Sequence, residues 1–120
     1  MSFTANRLIR LAELLGAVTA GSAAADQAIH EMLGRTGLIA PYTTHDGAAR
    51  QLLPPDFTWL PVAFENRSFH ASCYRFGAVR QEHEQRARTL PLALCGAALR
   101  AYAGVLLPVP SEPSAQPPVQ

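Results

Sequence analysis

Lysine is absent from this chain of 120 residues, and all ten basic residues are arginine. Acidic residues number nine, so only 16% of the chain is charged and the net charge is +1. So even a balance supplies no global field to draw in nucleic acid or an anionic membrane; an electrostatic partner has to be read by a local patch. An arginine-only basic set suits fork-like pairing with carboxylates and phosphates. Biased codon usage in a GC-rich genome is the blander explanation and carries more weight.

Cysteine is scarce as well. Cys73 and Cys95 belong to no C-x-x-C pair and no Cys/His cluster of zinc-site spacing, and both read as reduced, partly buried small hydrophobes on different elements. A Gly-rich phosphate loop, a G-x-S-x-G elbow and an H-E-x-x-H helix are all missing. No stretch approaches the roughly 18 apolar residues that a membrane span needs. The N-terminus lacks the basic start and unbroken apolar run of a secretory signal, Glu13 interrupting it, so the expected location is the cytoplasm.

What is present is enough apolar material, 48% of the chain, to fill one core. A single domain is expected over residues 1–107. The segment 108–120, with prolines at 108, 110, 113, 117 and 118, reads as a disordered tail, either a polyproline ligand or an inert extension.

Leu8, Leu11, Ala12, Leu15 and Val18 recur at helical spacing after Thr4, a candidate N-cap, with Phe3 and Leu8 placed for a hydrophobic staple. Ser22 can cap a second helix carrying Ala25, Ile29, Met32 and Leu33, closed by Gly34. The two are expected to pack as an antiparallel hairpin. A third helix runs from Thr43 or Thr44 to about Leu53 and stops at Pro54-Pro55.

Residues 57–64 then read as a strand, with Phe57, Trp59 and Ala63 on one face and Thr58, Leu60, Val62 and Phe64 on the other. Pro61 within it requires a sheet edge or a bulge. A tight turn leads to a second strand, Ser68 to Phe76, alternating Phe69, Ala71 and Cys73 against His70, Ser72 and Tyr74. The polar run 80–88 is assigned as a short third strand. Thr89 caps a last helix that is apolar almost all round from Leu92 to Leu99 and is therefore expected to be buried across the sheet. The fold class is α+β, a small antiparallel sheet packed between the N-terminal helices and the C-terminal helix as an α-β-α sandwich.

Two stretches carry a resemblance. Residues 41–59, P-Y-T-T-H-D-G-A-A-R-Q-L-L-P-P-D-F-T-W, resemble the P-Y-T-x-S-x-D-A-A-x-x-L-V-P-x-G-W-x-W pattern of the phage ABA-sandwich family. Residues 89–101, T-L-P-L-A-L-C-G-A-A-L-R-A, are similar to that family's T-P-A-L-A-L-C-x-A-A-L-R-A helix. The chain departs from the pattern at His45, Gly47, Asp56 and Phe57, and Pro91 falls one residue late. The resemblance spans residues 8–104 and implies the sandwich fold, an origin in a phage or prophage and a bacterial host cytoplasm. It carries no catalytic residue.

Chemistry is weighed against simpler readings. A nucleophilic thiol needs an adjacent base or positive charge, but alternation sets Cys73 and His70 on opposite faces and Cys95 lies on an apolar helix. Glu82 and Glu84 around His83 supply too few ligands for a metal, and a solvated edge is the stronger reading. No catalytic residue, metal ligand or cofactor is expected. Arg67, His70, Tyr74, Arg75, Arg80, Glu82 and Glu84 are the candidate partner-binding residues, since Arg and Tyr favour interface centres. The expected function is non-enzymatic protein binding to a host or phage protein, one version being an inhibitor of a bacterial defence system such as an anti-CRISPR-like protein. The alternative is nucleic-acid binding by the Arg/Tyr-rich hairpin face, against which the interleaved glutamates count. The sheet edge beside Pro61 also allows a homodimer.

Overall fold

The 3.6-residue apolar period at the N-terminus produces α1, Phe3–Ala17, with Ala5, Leu8, Leu11, Ala12 and Leu15 buried along one side. The computed structural model describes residues 3–77 and 80–106. Because α1 begins at Phe3, Thr4 lies inside its first turn and does not cap it; the Phe3 side chain of the expected staple lies outside the described residues. α2, Ala23–Met32, is capped as expected, Ser22 Oγ accepting from the Ala25 N–H at 3.1 Å. At its other end Gly34, φ 68, turns the chain away, its N–H bonding Glu31 O and the Arg35 N–H bonding His30 O.

α1 and α2 barely touch, so the expected helical hairpin does not form. α2 is tied instead to the loop that follows it. Thr43 donates from its N–H at 2.8 Å and its hydroxyl at 2.7 Å to buried Asp26, and Tyr42 Oη lies 3.1 Å from His30 Nδ1. A side chain on Gly21 would collide with the Thr43 carbonyl, so glycine permits this close approach. With Thr43 committed to α2, α3 is shorter than expected, Asp46–Arg50. Trp59 Nε1 donates to its last carbonyl, Arg50 O, at 3.2 Å, which anchors the sheet to the helix. Between them the Phe57 N–H bonds Pro54 O with Asp56 at φ 72, the position that a type II turn reserves for glycine or asparagine. It is also where the phage pattern carries glycine.

The sheet is antiparallel: β1 (Thr58–Trp59) and β2 (Ala63–Glu65) both pair one side of β3 (Ser68–Arg75), and β4 (Gln81–Ala87) pairs the other. The single strand expected over 57–64 is split around Pro61, which has no N–H to donate. Trp59 pairs Cys73 but Ala63 pairs His70, so four steps on the edge strand match three on β3 and one residue is bulged out. The bulge reverses the expected faces downstream. Ala63 joins His70 on the outer face, and Phe64 joins Phe69 on the inner face, ring centroids 4.7 Å apart. β2 enters β3 through Asn66 (φ 52) and Arg67 (φ 63), the two left-handed residues of a type I′ turn.

α4, Leu90–Leu106, starts on Thr89 Oγ1, which accepts from the Leu92 N–H at 3.3 Å, and buries every residue from Leu92 to Leu99. The α+β class and the docking of the N- and C-terminal helices on an antiparallel sheet are as expected. The layer order differs from a sheet enclosed on both sides: α1 and α4 share the inner face, α4 covered by the sheet below and by α1 beside it. A helix that is apolar all round needs that cover on more than one side. No helix among the described residues is long and apolar enough to cross a membrane. The segment expected to be a tail, 108–120, lies outside the described residues.

Candidate functional site

With both helices on the inner face, the outer face is bare among the described residues. Alternation along β3 and β4 sends His70, Tyr74, Glu82 and Glu84 there, and Arg80, just ahead of β4, folds over the same face. Arg67 sits at the exposed β2–β3 turn. Arg75 does not join them: it falls on the inner side, its guanidinium 5.1 Å from the Phe57 ring centroid.

Each carboxylate of the outer face lies beside a basic side chain of that face. His70 Nε2 lies 2.5 Å from Glu84 Oε1, Arg80 Nη2 lies 3.2 Å from Glu82 Oε1, and Arg86 Nη2 lies 3.9 Å from Glu65 Oε1. Exposed pairs of this kind are worth ~0–1 kcal/mol and exchange partners readily. At one end Arg80 also lies 4.8 Å from the Tyr74 ring centroid and 5.4 Å from that of Phe76, and the two rings meet edge to face at 5.2 Å. Phe76 is 70% exposed, a large apolar side chain held in place by its neighbours.

The other face of β4 is also polar, which sequence reading missed. Gln81, His83 and Gln85 point inward beneath the helices. Gln85 Nε2 donates to Ala12 O at 2.8 Å, and Arg100 Nε donates to Gln85 Oε1 at 2.8 Å. Gly16 and Gly96 leave room for that side chain, and Gly104 leaves room for the imidazole of His83, which a Cβ would approach to 2.6 Å. The buried atoms Gln81 Oε1 and His83 Nε2 make no hydrogen bond with any described residue. Beside them is a cavity of about 290 Å³ lined by Ile9, His83, Arg100 and Gly104. The sequence signal was available: neutral Gln, His and Gln alternate with charged Glu, Glu and Arg, and glycines recur on the helices above.

His83 stands opposite Cys73 in the β3–β4 ladder, a thiol and imidazole that the sequence reading did not bring together. Burial lowers the His83 pKa below its ordinary range, with Arg75 and Arg100 adding to the effect. Burial pushes the Cys73 thiol up to about 12, the charge of Glu82 adding to it. Cys73 Sγ faces Ala97 O at 4.0 Å, and Cys95 Sγ, also raised by burial, donates to Tyr42 O at 3.1 Å. Both thiols are therefore held protonated at neutral pH. His83 points away from Glu82 and Glu84, and among the described residues no three His, Cys, Asp or Glu converge on a common metal position.

Together these features define a two-layer α+β domain with sealed thiols and one open, internally charge-paired sheet face. No protein-family model, curated protein or solved structure matches the chain.

Proposed function

We propose that this chain is a non-enzymatic accessory protein of a phage or prophage that binds another protein through the outer face of its sheet. One observation carries the reading: the face is open, yet each acidic residue on it has a basic partner on it, so it offers a mosaic of charge around the Tyr74, Phe76 and Arg80 cluster. Such a mosaic complements a protein surface of mixed charge, and Tyr and Arg are the side chains that anchor interface centres. A phosphate backbone would instead be drawn by a cluster of unopposed cations, whereas Arg80 and Arg86 lie beside carboxylates and only Arg88 and, at the turn, Arg67 do not. The phage origin rests on the resemblance of residues 41–59 and 89–101, and a small inhibitor that occupies a surface of a bacterial defence component is the version we favour.

The test is affinity capture from nuclease-treated bacterial lysate with the full-length chain and with Tyr74→Ala/Phe76→Ala. A protein retained by the first and lost with the second supports the reading. Capture that disappears on nuclease treatment, with binding to nucleic acid that falls steeply as salt rises, replaces it with the nucleic-acid alternative.

A further inference from the structure

On the outer face Tyr74 and Phe76 present apolar surface inside a charged rim: their rings meet edge to face at 5.2 Å, Phe76 is 70% exposed, and Arg80 lies 4.8 and 5.4 Å from the two ring centroids. Aromatic surfaces of this kind suit proline-rich segments, because a polyproline II helix is already extended before it binds and loses little entropy. The chain carries such a segment itself. Residues 107–120, outside the described residues, have prolines at 108, 110, 113, 117 and 118. Pro110-Ser111-Glu112-Pro113 has the P-x-x-P spacing that sets two prolines on one edge of a helix of three residues per turn. Glu112, between them, is the only charged side chain in 107–120.

We propose that residues 107–120 dock, as a polyproline II segment, on the Tyr74, Phe76 and Arg80 cluster of their own chain. The end of α4 delivers the segment to the right end of the sheet. Gly104 packs over His83 and Gln81, and Gln81 pairs Arg75, the residue between Tyr74 and Phe76 in register. α4 then ends at Leu106, on the inner side of that same end. From Leu107 to Pro113, at ~3.1 Å per residue, the chain spans ~20 Å, about twice the ~10 Å that separates packed layers, so both prolines of the P-x-x-P can round the end of the sheet. Charge fits as well: Glu112 complements Arg80, whose pair with Glu82 is 3.2 Å long and exposed, and such pairs exchange partners readily. A tether of a few residues supplies an effective concentration on the order of mM, so a contact too weak to hold a free peptide is populated here. The segment then guards the outer face, and a protein binding there has to displace it; the docking itself needs no second protein.

A nitroxide on the full-length chain at Ser114→Cys tests this, since Cys73 and Cys95 are buried and leave the new thiol alone to be labelled. In the NMR spectrum the amide signals of Tyr74, Phe76 and Glu82 should lose most of their intensity, while those of Glu65 and Arg86, at the other end of the sheet, keep theirs. Tyr74→Ala/Phe76→Ala should restore the lost signals at Glu82, and so should Pro110→Ala/Pro113→Ala. The second pair lies beyond α4 and the sheet, so it decides alone if the first variant misfolds. Full intensity at the cluster overturns the proposal, and so does broadening that neither pair of substitutions relieves, which would reflect only the nearness of Leu106. Broadening that persists when isotope-labelled chains without nitroxide are mixed with nitroxide chains without isotope also overturns it, because the segment would then dock on a second copy. The measurement uses the chain alone, so its failure is distinct from a failure to capture a partner from lysate.

Discussion

Cys73 and His83 are direct neighbours across the β3–β4 ladder, both on the inner face, yet they do not form an activated pair. The thiol is held near 12 and the imidazole is held neutral by the same burial, so neither charge that would stabilise the other develops. In the folded chain at pH 8, Cys73 should react with a thiol reagent such as Ellman's roughly a thousandfold more slowly than in the denatured chain, following its thiolate fraction. Cys95, raised further by its deeper burial, should be slower still. Rapid labelling of Cys73 without unfolding would show an accessible thiolate and reopen nucleophilic chemistry.

The imidazole makes the fold sensitive to acid. His83 is lowered from the ordinary 6.5, so below that pH the unfolded chain takes up a proton that the folded chain resists. Its contribution is level above about 6.5 and is lost as pH falls from there through the folded pKa. Urea denaturation between neutral pH and pH 5 should show a steeper fall for the native chain than for His83→Gln. Parallel curves would remove His83 as a source of the acid sensitivity.

A glycine inside a helix ordinarily costs ~1 kcal/mol relative to alanine, so Gly96→Ala would be stabilising if space allowed. It does not: the added methyl falls on Gln85, whose Cδ would be 2.6 Å away and whose amide is held by Ala12 O and Arg100. Overpacking a fixed neighbour costs ~1–3 kcal/mol, so the variant should lose about 1–2 kcal/mol in urea denaturation. The double variant Gly96→Ala/Gln85→Ala should be more stable than the sum of the single effects predicts, since the clash and its partner vanish together. Strict additivity would show that the helix slides to accept the methyl.

Arg67 occupies a left-handed position, φ 63, in the two-residue turn between β2 and β3. A side chain there costs ~1–2 kcal/mol that glycine avoids. Arg67→Gly should therefore raise the unfolding free energy by about 1 kcal/mol, measurable as a higher urea midpoint at unchanged slope. If it also weakens partner capture, Arg67 belongs to the interface; a loss of stability would mean that the arginine makes a compensating contact.

Much of the fold is legible in the residues. The apolar period of α1, the Ser22 cap and Gly34 exit of α2 and the alternation of β3 reappear where local chemistry puts them, whereas α3 already ends at Arg50, short of the stop expected at Pro54-Pro55. Even β4, with little apolar pattern, is a strand, because Gln85 and Ala87 go inward while Glu82, Glu84 and Arg86 stay in water. Local readings fail where a distant segment competes. Thr43 is drawn out of α3 by Asp26, and the bulge at Pro61 turns Ala63 and Phe64 over by a register shift that strict alternation does not foresee. Of the candidate site, His70, Tyr74, Glu82 and Glu84 share a face as their parity requires, and Arg75 leaves it for the same reason.

By itself, then, the sequence determined the α+β class, the order of the elements and the apolar character of α4, because these follow from spacing, capping and proline within a few residues. Only the tertiary structure decided that α1 and α4 lie on the same side, that Gln85 and His83 fill slots under Gly96 and Gly104, and that the other face of the sheet stays open. Burial is a property of what packs against a residue. On β4 both faces are polar, so nothing local ranks one above the other until the helices choose a side.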